Sequence, residues 1–127
     1  EAMDRIALPA IEAFSPDIII VACGYDAAVL DPLSQTLATA ETFRHMTQRA
    51  KELAARVCDG KLVLVHEGGY SEVYVPFCGH ATLEALSGSQ ITAPDPYEAS
   101  FRIRQPNARF EAFVSGEIDA IAAELGL

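Results

Sequence analysis

The chain has 127 residues, of which 50% are hydrophobic and 21% charged, a composition typical of one folded domain and not of a disordered segment. The formal net charge of −9 argues against a nucleic-acid partner, because surfaces that bind a phosphate backbone need clustered lysine and arginine. No apolar run approaches the roughly 20 residues of a membrane span, and no signal segment opens the chain. We therefore expect a protein that contacts no membrane. Three cysteines at wide spacing, with no CxxC pair, argue against a disulfide framework and a thiolate zinc site, so a cytoplasmic protein is expected.

The first half of the chain predicts a helix, a strand, a loop and a second helix. Apolar residues recur every three or four positions over 1–14, with a kink or a late helix start expected at Pro9. A continuous apolar run over 18–22 predicts a buried parallel strand, and the aperiodic segment 24–37 predicts a loop at its carboxyl end. Thr39 is the expected N-cap of a helix that stops before Asp59-Gly60.

The second half predicts another strand and two further helices. The strand covers 62–65, and a helix over 72–86 follows, with Pro76 near its start. Residues 87–107 are polar and contain several prolines, so we expect an ordered surface segment there. Asn107 can cap a last helix whose apolar residues recur on one face from Phe110 to Leu125. Alternating helices and strands are typical of an α/β fold with a parallel sheet.

Both predicted strands are apolar on both faces, and two strands cannot complete a sheet that is covered on both sides. We therefore expect residues 1–127 to be a fragment of a longer chain that supplies the neighbouring strands. The alternative is a small domain that covers its strands by forming a homo-oligomer.

Candidate functional residues follow the two strands. Ligands of open parallel sheets bind beyond the carboxyl ends of the strands, where these two loops should meet. Asp31 precedes a stiffening proline, so it is either a metal-ligating carboxylate or a turn-forming aspartate bonded to its own backbone. Asp26 is open to the same two interpretations, with capping favoured. His66 is expected to be a hydrogen-bonded core histidine in preference to a ligand or base.

Tyr70 follows Gly68 and Gly69, a pair that permits a sharp turn and a close approach of ligand to backbone. Its hydroxyl could donate to a developing oxyanion, or its ring could pack half-buried at the start of a helix. A metal carboxylate and a donor tyrosine together suit metal-assisted hydrolysis. A catalytic zinc needs further protein ligands, which this chain does not clearly offer.

Three sequence blocks carry a resemblance to a known family: Ser15–Ala27, Asp31–Leu33 and Leu62–Tyr70. In this order they resemble the carboxyl-terminal part of the histone deacetylase superfamily. The resemblance implies that residues 1–127 are the C-terminal part of a single deacetylase-like α/β domain whose upstream part is absent here. Ser71–Cys78 is similar to the bacterial class II-type histone deacetylase-like amidohydrolases in particular. The resemblance implies an arginase-like, three-layer α/β/α fold around a parallel sheet, of which this chain supplies about two strands and their helices. It also implies one catalytic Zn²⁺.

The same resemblance assigns roles to individual residues. Asp31 corresponds to the third zinc ligand, and Tyr70 to the transition-state tyrosine that faces the substrate carbonyl. Gly68 and Gly69 correspond to glycines at the floor of the acyl-lysine tunnel, and Asp26 to a structural motif residue. The family's Asp-x-His zinc ligands and tandem histidines have no counterpart in this sequence, so the chain by itself is expected to be inactive.

The resemblance implies a zinc-dependent enzyme that hydrolyses acetyl-lysine or a related acylated amine through a zinc-activated water. The same blocks also fit an acetylpolyamine amidohydrolase, because the loops that select the substrate are mostly outside this chain. A third hypothesis is a non-enzymatic interaction module in which the strand-end loops bind a partner and Tyr70 only packs. An Asp31→Ala variant of the complete protein that kept its zinc affinity would favour the module.

Overall fold

A computed structural model describes all residues, 1–127. A short π-helix, Met3–Ala7, opens the chain, and five α-helices and two β-strands follow. In chain order these are α1 (Leu8–Phe14), β1 (Ile19–Cys23), α2 (Ala40–Val57), β2 (Leu62–His66), α3 (Val75–Ser87), α4 (Glu98–Arg102) and α5 (Ala108–Glu124). None of the helices combines the length and the apolar character that a bilayer crossing requires.

The two strands form a parallel pair in which Ile19 lies opposite Leu62 and Cys23 opposite His66. Side chains alternate between the two faces of the pair, so that only one face contacts the helices. On the other face, Ile20 is 65% exposed and Val63 is 44% exposed. The predicted order of elements is confirmed except for α4, a short helix within the segment 87–107 that was expected to be a surface excursion. The expectation that this chain leaves apolar strand residues uncovered is confirmed.

Two clusters of buried side chains lie on the helical side of the sheet. The first joins α1, β1 and α2 through Leu8, Ile19, Leu53, Ala54 and Cys58. The second joins the loop after β1 to α2 and α3 through Tyr25, Ala28, Ala40, Phe43, Tyr74, Cys78 and Ala81. Helix α2 therefore contributes to both clusters and packs along α3, which fixes the position of the segments that follow each strand.

Both predicted ends of α2 are confirmed. Thr39 and Thr42 form a capping box, in which the Thr42 hydroxyl accepts a hydrogen bond of 3.1 Å from the backbone N–H of Thr39. After Val57 the backbone turns through left-handed conformations at Asp59 (φ 53°) and Gly60 (φ 75°), which end the helix before β2 begins.

Other element boundaries differ from the predictions. Strand β1 begins and ends one residue later than expected, and β2 continues to His66. The first helix is π-helical over Met3–Ala7 and continues as an α-helix from Leu8, with Pro9 in the first α-helical turn. Helical structure thus begins before Pro9, and the expected late start is wrong. Helix α3 begins at Val75 and not at position 72, because Pro76 is preorganised for a first helical turn.

The C-terminal helix begins where it was predicted. The Asn107 side chain accepts hydrogen bonds of 3.1 Å from the N–H groups of Arg109 and Phe110. On α5 only Ile118 and Ala122 are buried, so most of its predicted apolar face is uncovered.

Candidate active site

The loops that follow β1 and β2 are joined by hydrogen bonds, as expected for the carboxyl ends of adjacent parallel strands. The backbone N–H of Tyr25 donates to the carbonyl of Gly68 at 2.7 Å. Further along both loops, the backbone N–H of Tyr70 donates to Oδ2 of Asp31 at 2.6 Å. The structure therefore brings together the predicted site residues Asp31, Gly68 and Tyr70, which lie up to 39 positions apart in the sequence.

Asp31 is held in a fixed orientation at this junction. Its side chain is 6% exposed, and its two oxygens accept from different backbone groups. Oδ1 accepts from Leu33 N at 2.9 Å, the turn-forming bond within its own loop, while Oδ2 reaches across to Tyr70. Each carboxylate oxygen keeps a further lone pair after one hydrogen bond. The carboxylate is thus oriented by the protein and still has capacity to accept another ligand.

The backbone requires glycine at position 69, and at position 68 a side chain would displace the Asp26 carboxylate. Gly69 has a φ of +142°, and a Cβ there would lie 3.0 Å from Cγ2 of Val75 and 3.1 Å from Cβ of Tyr25. At Gly68 a Cβ would lie only 2.9 Å from Cγ of Asp26. The two loops therefore approach more closely than side chains at these positions would allow.

Tyr70 lies at the open side of this junction. Its ring is 57% exposed, while the point that a Cβ on Gly68 would occupy is 3.3 Å from its hydroxyl oxygen. Helix α3 begins five residues later, at Val75, and Tyr70 is exposed and not half-buried against it. An exposed phenol attached to a fixed backbone can donate a hydrogen bond to a bound molecule. The oxyanion-donor role of Tyr70 stays a prediction.

The prediction that His66 is a core histidine is wrong. Its side chain is exposed, and its ring stacks at a tilt on Tyr25, with 5.2 Å between ring centroids. The position is the last of β2, where the chain supplies no layer to cover it. Tyr25 itself is buried, and burial raises the pKa of its hydroxyl to about 12, so Tyr25 is a neutral packing residue beneath the loops.

Tyr74 lies in the second buried cluster, behind the site loops, and was not identified from the sequence. It is fully buried, its hydroxyl donates to Oδ2 of Asp95 at 2.5 Å, and it accepts from the N–H of Ala40 at 3.2 Å. Burial raises the pKa of this hydroxyl further above its ordinary value. Through these two hydrogen bonds, Tyr74 connects the segment after α3 to the first turn of α2. No sequence period could reveal it, because Asp95 is 21 residues beyond Tyr74.

A buried ion pair between α2 and α3 was also missed. The Glu84 side chain is 4% exposed and pairs with the guanidinium of Arg44, while Nδ1 of His80 lies 3.6 Å from Oε2 of Glu84. Burial lowers the pKa of Arg44, but the carboxylates of Glu84 and Glu41 more than offset this effect and raise it. One sequence signal for this cluster was available, because His80 and Glu84 are four residues apart on one helix and so share a face.

Cysteine chemistry is absent from the site. All three cysteines are free thiols, and Cys78 is completely buried under the second cluster. Burial, together with the negative charge of Asp95, raises the pKa of the Cys78 thiol to about 12. Cys78 is therefore a packing residue.

The residues of this chain fit a metal site only in part. No group of three or more His, Cys, Asp or Glu side chains comes together in a way that could hold a metal ion. Catalytic zinc sites use three protein ligands, and Asp31 is the one buried, oriented carboxylate at this junction. The chain thus offers one candidate ligand, and any complete site needs ligands from outside it.

Similarity to known proteins covers the whole chain. The sequence profile of the histone deacetylase domain matches residues 1–86. A histone deacetylase-like amidohydrolase from Pseudomonas aeruginosa is 46% identical over 127 residues, which is 100% of this chain and 33% of that protein. Histone deacetylase 10, chloroplastic, from Oryza sativa is 46% identical over 88 residues, covering 69% of this chain and 17% of that protein.

Solved structures give the same assignment. The crystal structure of the HDA15 HD domain matches with a TM-score of 0.63 and 32% identity, covering 79% of this chain and 26% of that one. The structure of the histone deacetylase Clr3 matches with a TM-score of 0.61 and 31% identity, covering 79% and 17%. This chain spans about a third of the length of the bacterial relative. Its strands, helices and site loops have the arginase/deacetylase fold, and the chain belongs to the histone deacetylase family.

Proposed function

We propose that this chain works as part of a zinc-dependent amidohydrolase that removes acetyl or similar acyl groups from amines such as acetyl-lysine. The observation that carries the proposal is the hydrogen bond of 2.6 Å from Tyr70 N to Oδ2 of Asp31. It links an oriented buried carboxylate to the backbone of a residue whose phenol is exposed at the same junction. Family membership supports this chemistry.

Asp31 would be one zinc ligand, and the other ligands and the general base would come from outside these 127 residues. Zinc bound there would act as a Lewis acid on the acyl carbonyl and would activate a water. The two backbone N–H donors would hold the Asp31 carboxylate in a single orientation toward the metal. The chain by itself is proposed to be inactive, because it offers one candidate ligand only.

Tyr70 would donate its hydroxyl proton in a hydrogen bond to the oxygen of the substrate carbonyl as negative charge develops there. The phenol needs no reorganisation for this role, because its backbone is already fixed through Asp31. Gly68 and Gly69 would let the acyl group approach the backbone, since neither residue places a side chain in the crevice. In this proposal Asp31 binds the metal and Tyr70 donates the hydrogen bond to the carbonyl oxygen.

The test uses the complete natural protein and a reporter peptide that contains acetyl-lysine. We expect turnover that a zinc chelator abolishes and that falls by about 100-fold or more in Tyr70→Phe, the usual size of a lost oxyanion donor. Tyr97→Phe is the matched control, because it makes the same chemical change at a tyrosine that contacts Tyr74 and Phe77 away from the site. Turnover of acetylated polyamines but not of the peptide would change the substrate class. No turnover of either substrate and no bound zinc would refute the proposal.

A further inference from the structure

Asp26 lies on the loop after β1, and its carboxylate is inserted between two glycines. A Cβ added to Gly24 would be 3.0 Å from Oδ1 of Asp26, and a Cβ added to Gly68 would be 2.9 Å from its Cγ. Real side-chain atoms do not approach this closely without displacement. The carboxylate thus occupies the space that a side chain at either glycine would need, and it determines how closely the two loops can approach.

The surface of Gly68 that contacts Asp26 also contacts Tyr70. The point that a Cβ on Gly68 would occupy is 3.3 Å from the Tyr70 hydroxyl oxygen. Tyr70 has its backbone N–H fixed on Asp31, while most of its ring is exposed. The contact at the hydroxyl end therefore has a large influence on where the phenol points. A shift of Gly68 by a few tenths of an ångström would reach the hydroxyl directly.

We propose that Asp26 is a positioning residue: by filling the space beside Gly68 it sets the path of the Gly68–Tyr70 segment and so the placement of the Tyr70 hydroxyl. The inference rests on the proposed function, because it assigns Asp26 a role through the donor tyrosine. It also gives a physical reason why position 68 is glycine in this chain. A side chain at position 68 would displace the Asp26 carboxylate from its present place.

If Asp26 acts by its shape, the shape of the replacement side chain decides how much activity the variant retains. Asparagine has the shape of aspartate, so Asp26→Asn keeps the contact with Gly68. Alanine removes both carboxylate oxygens and leaves Gly68 without its neighbour. Glutamate adds one methylene and forces the carboxylate toward the loop. We therefore expect Asp26→Asn to retain about tenfold more activity than Asp26→Ala or Asp26→Glu, since small misplacements of catalytic groups cost up to about 100-fold.

The first experiment is a double-mutant cycle between positions 26 and 68 in the complete protein. Gly68→Ala alone should lower kcat on the acetyl-lysine peptide by about 10- to 100-fold, and it should lower the thermal unfolding midpoint. In Asp26→Ala/Gly68→Ala the collision is absent, so both kcat and the midpoint should recover relative to Gly68→Ala alone. Asp17→Ala, an exposed aspartate before β1, is the matched control and should behave like wild type.

A second cycle tests whether Asp26 acts through Tyr70. In a Tyr70→Phe background, Asp26→Ala should lower kcat by less than about threefold, because the group that it positions is gone. Strictly multiplicative losses in both cycles, or equal losses in Asp26→Asn and Asp26→Ala, would overturn the inference while wild-type turnover left the proposed function intact. An inactive wild-type protein would refute the proposed function itself, and the positioning role would be refuted with it.

Discussion

Replacing Asp31 by asparagine should weaken the fold even when no zinc is present. The carboxylate accepts from two backbone N–H groups, those of Leu33 and Tyr70, one on each oxygen. Asparagine keeps one acceptor oxygen, so its NH₂ group must face one of the two N–H donors. Aspartate and asparagine have the same shape, which makes the change electrostatic and leaves packing intact.

The expected loss is about 1.5–3 kcal/mol, the contribution of one hydrogen bond to a charged group, because the other bond can survive. The assay is urea unfolding of the complete protein with a chelator present, for wild type and Asp31→Asn. Asp17→Asn serves as a control at an exposed position. If wild type and Asp31→Asn unfold at the same urea concentration without zinc, the carboxylate does not bridge the two loops, and the reasoning for its orientation is refuted.

Three further predictions concern the packing beneath the site. Arg44→Met should lose about 3–5 kcal/mol in urea unfolding, because it leaves the buried Glu84 carboxylate with only the His80 ring beside it. Arg44→Met/Glu84→Leu should lose clearly less, and equal losses would contradict a buried pair. Tyr74→Phe should lose about 1–3 kcal/mol in the same assay, since it removes the hydroxyl that bonds Asp95; an unchanged midpoint would contradict that contact. The raised pKa of Tyr25 means that the folded state retains a proton that the unfolded state releases above pH 10. Stability should therefore fall between pH 10 and about 12. The thermal unfolding midpoint of Tyr25→Phe should fall less steeply with pH than that of wild type, and identical slopes would contradict this assignment.

Local sequence signals predicted the elements and their ends wherever those ends depend on contacts between residues close in sequence. The capping box of Thr39 and Thr42 and the Asn107 cap each join residues within three positions. Asp59 and Gly60 end α2 through backbone conformations of their own. These features depend on side chains and dihedral angles within one helical turn, so a sequence pattern contains all the information that they need.

Contacts between distant segments were less accessible to prediction. His66 was expected in the core because it ends an apolar strand, yet burial depends on what covers β2, which the strand's own residues do not specify. The apolar period of α5 predicted a helix with one apolar face, yet Phe113 on that helix is 63% exposed. A period identifies the apolar face of a helix but does not show which element packs against it. The bond between Tyr74 and Asp95 required α2, α3 and the following segment to be packed together.

The sequence by itself determined the order of helices and strands, the parallel sheet, the two strand-end loops and the family, because these follow from hydrophobic periods, turn residues and ordered motif blocks. The tertiary structure decided how the loops meet. The bond between Asp31 and Tyr70, and the insertion of Asp26 beside Gly68, depend on the register of β1 on β2. A shift of that register by one residue would turn the buried strand residues away from the helices, so the distances that orient a candidate ligand and donor exist only in the folded chain.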